Sequence, residues 1–282
     1  MKRIILGSFL CFLSGLFPLF GQSIIKESQT FKSKLLDKEI KYSIYLPDGY
    51  FSSEKDYPVL YLLHGYSDNE TSWVSKGKVK EITDTSIQNG ESVPTIIVMP
   101  DAWDSWYIDQ YDGKCNYEEM FFQELIPFME HKYRIKADKQ TRSIAGLSMG
   151  GQGAFLYTLH HPDYFASCAP LSAAIFDDQT LKQRIDSQDK NDLFKRLIGE
   201  DLNHWKKNSI LDLLQSAKTN VRYYIDCGDD DYLLEGTLDA HRIMQEKGIK
   251  HELRVRDGAH NWEYWRSALP EVLKFISHGM NN

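Results

Sequence analysis

The stretch SIAGLSMGGQGAF, Ser143 to Phe155, sets one serine, Ser148, in a Gly-x-Ser-x-Gly frame. An apolar, strand-like run precedes the serine, and a segment of small, helix-compatible residues follows it. By itself the frame decides little. At ~7% glycine, with serine similar, it arises by chance in roughly one chain in ten of this length. What it predicts is a local geometry: a strand that turns sharply into a helix, with the serine hydroxyl exposed at a strained turn. Gly146 and Gly150 then sit where a side chain would strike neighbouring backbone.

Further out, short apolar runs recur at PVLYLL (58–63), TIIVMP (95–100), FASCAPLSAA (165–174), VRYYIDCG (221–228) and HELRVRD (251–257). Runs this continuous suit strands covered on both faces. Upstream, residues 23–47 read as a hairpin, with Ile40, Tyr42, Ile44 and Leu46 on one face of its second strand. Helix-period segments lie between the runs. NYEEMFFQELIPFMEHKY puts Phe121, Leu125 and Met129 on one stripe, with a bend expected at Pro127. NWEYWRSALPEVLKFISH spaces Trp262, Trp265, Leu269, Val272 and Ile276 at three- and four-residue steps. EGTLDAHRIMQEKG has Gly248 as its stop. The alternation predicts an α/β fold with a mostly parallel sheet and helices on both faces.

The 282 residues carry a net charge of -7, which argues against a nucleic-acid partner that would need a basic face. The first 22 residues open with Lys2 and Arg3 and then run almost uncharged, the pattern of a removable secretory signal, so a secreted or periplasmic product is expected. The alternative is a retained anchor, for which the run broken by Gly7, Gly15 and Pro18 is marginal. No later segment is apolar enough to span a bilayer, so no stable membrane insertion is expected once the leader is removed. Residues 23–282 show no linker or repeat and read as a single domain. The polar stretch 175–220 is a lid, a pocket wall or a plain solvated excursion. Cys115, Cys168 and Cys227 match no zinc spacing, and the last two read as buried thiols.

A serine hydroxyl needs a base, the base needs an acid to orient it, and the developing oxyanion needs donors. The strand–turn–helix reading of Ser148 corresponds to the α/β-hydrolase nucleophile elbow, which orders the partners Ser, acid, His along the chain. RDGAHNWEYW offers His260 after the last strand. YYIDCGDDDYLLEG offers Asp231 first, three residues past Gly228, then Asp230, with Asp229 and Asp226 behind. The two oxyanion donors are expected at the Met149 amide and the Tyr66 amide, the latter in the loop of LYLLHGYSDNETSW. His64 precedes the serine, an order this fold does not use for the base, and is assigned to holding that loop. His160 and His161 end a helix, where positive charge suits the dipole. The other histidines show no ligand-like grouping, and no metal or other cofactor is expected. Trp103 and Trp106 either line a substrate pocket or pack in the core.

Taken together, YLLHGYSDNETSW, MPDAWDSWY, YEEMFFQELIPFMEHKYRI, IAGLSMGGQGA, CGDDDYLLEG and DGAHNWEYW resemble the esterase-D-like putative esterase family over about residues 38–278. That family includes feruloyl and acetyl-xylan esterases, S-formylglutathione hydrolases and mycolyltransferases. The resemblance implies an α/β-hydrolase with Ser148 as nucleophile, His260 as base and Asp231 as acid, and with Tyr66 and Met149 at the oxyanion positions. The expected activity is an exported serine carboxylesterase acting on a small-molecule or carbohydrate ester, feruloyl or acetyl. An acyltransferase or S-formylglutathione-type thioesterase with the same triad is the alternative, and a non-enzymatic binding protein the remoter one. The triple aspartate 229–231 departs from the family pattern and leaves the acid open between Asp231 and Asp230. The oligomeric state is not legible.

Overall fold

The structure is a computed structural model that describes residues 22–185 and 193–279. The expected leader lies, Gln22 apart, outside the described residues. Eight strands form one sheet: β1 (Ile24–Ser33), β2 (Lys38–Leu46), β3 (Val59–Leu63), β4 (Ile96–Pro100), β5 (Arg142–Leu147), β6 (Ser167–Leu171), β7 (Arg222–Gly228) and β8 (His251–Arg256). Their order is β1-β2-β4-β3-β5-β6-β7-β8. The β1–β2 and β2–β4 pairs are antiparallel, and every other pair is parallel. All seven apolar or alternating runs read from the sequence are strands. This is the α/β-hydrolase architecture.

The strands bury both faces by alternation, because successive side chains on a strand point to opposite sides. Val59, Tyr61 and Leu63 of β3 enter one core, and Leu60 and Leu62 enter the other. The first core lies under the helices Tyr117–Met120, Met149–His160 and Leu234–Glu246. The second is closed by Val79 and by the long helix Trp262–His278, which contributes Trp265, Leu269, Val272 and Ile276. β8 departs from the expectation. It is one edge of the sheet, its residues are half-buried or exposed, and Val255 is 43% exposed. Its charged side chains, HELRVR, blunt an edge that would otherwise offer free backbone to another strand.

The bend expected at Pro127 is absorbed one turn earlier. Residues Phe121–Leu125 form a π turn between two α-helical segments, so the helix continues around the N–H that proline lacks. Burial holds Cys168 and Cys227 as thiols, the latter with its titration pushed up to about 12. Among the described residues no helix is long and apolar enough to cross a membrane.

The insertion 175–220, described apart from residues 186–192, packs onto the loop after β4. The Tyr111 amide donates to the Leu197 carbonyl at 3.0 Å, and Arg196 pairs with Asp104 at 2.8 Å. A second tie is half-buried. His160, ending the helix that follows Ser148, places Nδ1 2.8 Å from Glu118 Oε1 and Nε2 2.7 Å from the Lys207 carbonyl. Both partners are acceptors, so both ring nitrogens donate and the ring is an imidazolium. Burial lowers its pKa, but the Glu118 carboxylate and the Lys207 carbonyl more than reverse this and raise it. Glu118 is held low by His160 and by His161, 2.9 Å away, against its own burial. Asp109, Glu119, His204 and Lys207 face the same 520 Å³ cavity.

The sign of the pH effect follows. The raised His160 pKa gives stability that is complete below its ordinary 6.5 and is lost as pH rises through the folded value. The lowered Glu118 pKa gives stability present above its ordinary 4.5 and lost on acidification. Melting followed by circular dichroism should show wild type losing its advantage over His160→Gln as pH is raised from neutral into the alkaline range. Parallel curves for the two proteins would remove the imidazolium assignment.

Candidate active site

The sheet registers bring distant residues to one rim. Leu63 pairs with Gly146, Leu147 with Leu171, Leu171 with Asp226 and Gly228 with Arg256. The residues that follow, 64–66, 148, 172, 229–232 and 257–260, therefore leave the sheet side by side at the carboxyl ends of parallel strands, where α/β folds build their sites.

Ser148 leaves β5 with φ 54° and ψ -118°, a conformation that residues with a side chain rarely adopt, and the helix Met149–His160 starts at the next residue. Main-chain bonds hold this strained turn. Its N–H donates to the Leu171 carbonyl at 2.9 Å, and its carbonyl accepts from Gln152 and Ala174 at 3.0 and 3.2 Å. A Cβ on Gly150 would lie 2.5 Å from the His64 carbonyl oxygen, and one on Gly146 would lie 2.3 Å from that of Gly150. Both motif glycines are therefore required for the turn to seat between the strands.

His260 Nε2 lies 3.0 Å from Ser148 Oγ. Its Nδ1 lies 2.9 and 3.1 Å from the two Asp231 carboxylate oxygens. A carboxylate only accepts, so the ring proton sits on Nδ1 and the Nε2 lone pair faces the serine hydroxyl. The Asp231 side chain is fully buried, while that of His260 is 15% exposed. Burial alone would raise the Asp231 pKa. Hydrogen bonds from His260, the Leu233 amide and Ser172 outweigh it and hold the carboxyl below its usual value.

The ambiguity among the acids resolves in geometry. Asp226, the other buried carboxylate, is taken up by Tyr224, Tyr264 and Arg256. Asp229 and Asp230 are exposed and gather with Asp257 at the surface, their oxygens within 4.8 Å of one another. Asp231 alone of the four meets the imidazole.

Two aromatic residues that sequence reading passed over flank that imidazole. Trp265 sets its ring edge-on at 4.9 Å, with its indole N–H donating to Ser172 Oγ at 3.0 Å. Tyr232 lies against the imidazole at 4.7 Å. Trp265 was legible only as part of the core stripe of its helix. Tyr232 had one signal, its place directly after Asp231.

The loop after β3 reaches the same point. A Cβ on Gly65 would lie 3.5 Å from Ser148 Cβ, which sets the neighbouring Tyr66 beside the serine. Among the described residues neither the Tyr66 amide nor the Met149 amide has a hydrogen-bond acceptor. The Met149 amide is also the first of its helix, where N–H groups are free and the dipole favours negative charge. His64 is buried. It accepts from the Ala102 amide at Nε2, 2.9 Å, so Nδ1–H donates to the Gly65 carbonyl, 2.8 Å. It holds the loop, as expected, and does not reach Ser148. The two tryptophans part company. Trp106 is 6.4 Å from Tyr66 and packs on Phe176 and Phe194 of the insertion. Trp103 packs against Tyr117, with the Lys38 ammonium over its face at 3.1 Å. A cavity of about 730 Å³ opens at the other end of β7 and β8 and is not this site.

The family model described as Putative esterase matches residues 33–276. The chain belongs to that esterase family. Its fold and serine chemistry class are those of the serine hydrolase esterases. The chain is 30% identical to an endo-1,4-beta-xylanase/feruloyl esterase of Xylanibacter ruminicola over 88% of its own length, but it spans only 30% of that protein. It is 25% identical to an acetyl esterase of Caldicellulosiruptor saccharolyticus, over 88% of this chain and 96% of the relative. The solved structure of a ferulic acid esterase superposes with a TM-score of 0.83 at 35% identity, covering 93% of this esterase and all of that chain.

Proposed function

We propose that this esterase cleaves feruloyl or acetyl esters of carbohydrate alcohols through Ser148, His260 and Asp231. The observation that carries the reading is the continuous chain of contacts from the Asp231 carboxylate through both nitrogens of His260 to Ser148 Oγ. Ser148 attacks the ester carbonyl while His260 Nε2 takes the hydroxyl proton. Asp231 orients and stabilises the resulting imidazolium. The Tyr66 and Met149 amides receive the oxyanion, donors already in place and therefore without reorganisation cost as charge develops. His260 then protonates the leaving alcohol, and water, activated by the same histidine, releases the acid from the acyl-enzyme.

The carbohydrate ester is supported by the relatives' own names and by the expected leader, which would carry the enzyme outside the cell where polysaccharides are. Ranking kcat/KM on methyl ferulate, acetylated xylan, S-formylglutathione and p-nitrophenyl acetate tests it. Feruloyl or acetyl esters should lead. A dominant rate on S-formylglutathione would overturn the substrate class. N-terminal sequencing of protein recovered outside the expressing cell, beginning near residue 23, would test export.

A further inference from the structure

Of the large apolar side chains exposed among the described residues, the most exposed is Tyr232, at 76%. Folding gains almost nothing from a ring left in water, and this one stands at the reacting centre. It follows Asp231 in the chain, and its ring centroid lies 4.7 Å from that of His260, tilted by 50°. Among the described residues its hydroxyl has no hydrogen-bond partner. Tyr66, the other exposed aromatic of the rim at 53%, stands beside the oxyanion position instead.

The chemistry assigns a side to each ring. When the acyl-enzyme forms, the Ser148 Oγ–acyl bond is made and the acyl–alcohol bond breaks. The proton taken from Ser148 passes through His260 Nε2 to the departing oxygen. That oxygen must lie within hydrogen-bond reach of Nε2, so whatever it is attached to lies next to the imidazole, the ring that Tyr232 flanks. The carbonyl oxygen lies toward Tyr66 and Met149.

We propose that Tyr232 is the stacking platform for the sugar that forms the alcohol half of the ester. A tyrosine ring offers a flat apolar face with a polar tip, matching a sugar ring that has C–H groups on its face and hydroxyls on its rim. The exposed setting suits an alcohol that continues as a chain into solvent. A lipid alcohol would instead call for an enclosed apolar groove. The proposal rests on the esterase reading above and refines it at the leaving-group side.

The test compares Tyr232→Ala with wild type on two esters that share an acyl group, methyl ferulate and a feruloylated arabino-oligosaccharide. The variant should lose about tenfold in kcat/KM on the sugar ester, carried mostly in KM, and stay within about twofold on the methyl ester. Tyr232→Phe, which keeps the face, should recover most of the loss. Equal losses on both esters would overturn the proposal, because Tyr232 would then act by positioning His260. No loss on either would overturn it as well. A wild type inactive on both esters would instead sink the esterase reading itself, so the two failures are distinguishable.

Discussion

Ser148→Ala is expected to lower kcat on p-nitrophenyl acetate by about 10⁴- to 10⁶-fold while leaving the melting curve in place. The loss is large because nucleophile and base act as a unit. Without Oγ the His260 lone pair has nothing to deprotonate, and only the oxyanion donors and binding remain. Stability should survive because the strained backbone at φ 54° is held by main-chain bonds to Leu171, Gln152 and Ala174 and not by the hydroxyl. Among the described residues the hydroxyl's one side-chain partner is His260, 3.0 Å away. Turnover and fluorophosphonate labelling, measured beside circular dichroism, give the answer. A folded variant that keeps near-native turnover would place the nucleophile elsewhere.

Asp231→Asn should cost about 10⁴-fold in kcat, and Asp230→Asn should stay within about twofold. The carboxylate at 231 accepts the Nδ1 proton and thereby leaves Nε2 free to act as base. An amide there can donate to Nδ1 and fix the opposite tautomer, in which Nε2 already carries a proton. Asp231 is fully buried with its oxygens also bound by the Leu233 amide, so water cannot replace it. Asp230 is exposed, and losing its charge leaves the imidazole's contacts intact. Steady-state rates for both variants on one ester decide the matter. A larger loss at 230 than at 231 would reverse the assignment of the acid.

Much of this molecule could be read before folding was considered. The apolar runs announced β3 to β7 because strands buried on both faces need nearly every residue apolar. Ser148 and His260 were legible because each follows such a run, and strand ends in this architecture converge on one rim. β8 misled for a related reason. Its run has the length of a covered strand, but it ends the sheet and its residues are half-buried or exposed.

Other features depend on groups that share no local pattern. Glu118, His160 and the Lys207 carbonyl meet from three separate helices, so His160 looked like a simple helix-end cation. Trp265 has the spacing of a core residue and is one, while its other edge steadies the imidazole. The expected tryptophan pair divides because the loop after β4 turns sharply, with positive φ at Trp103, Trp106 and Tyr107.

Strand and helix positions, the serine turn and the order of its partners were determined by the sequence itself, through hydrophobic periodicity and the steric demand for Gly146 and Gly150. Which aspartate meets His260, and which aromatic rings surround it, was decided only in three dimensions. Adjacent residues such as Asp229, Asp230 and Asp231 have the same local chemistry. Only the turn after β7 directs one carboxylate inward, to the imidazole, and leaves the other two in solvent.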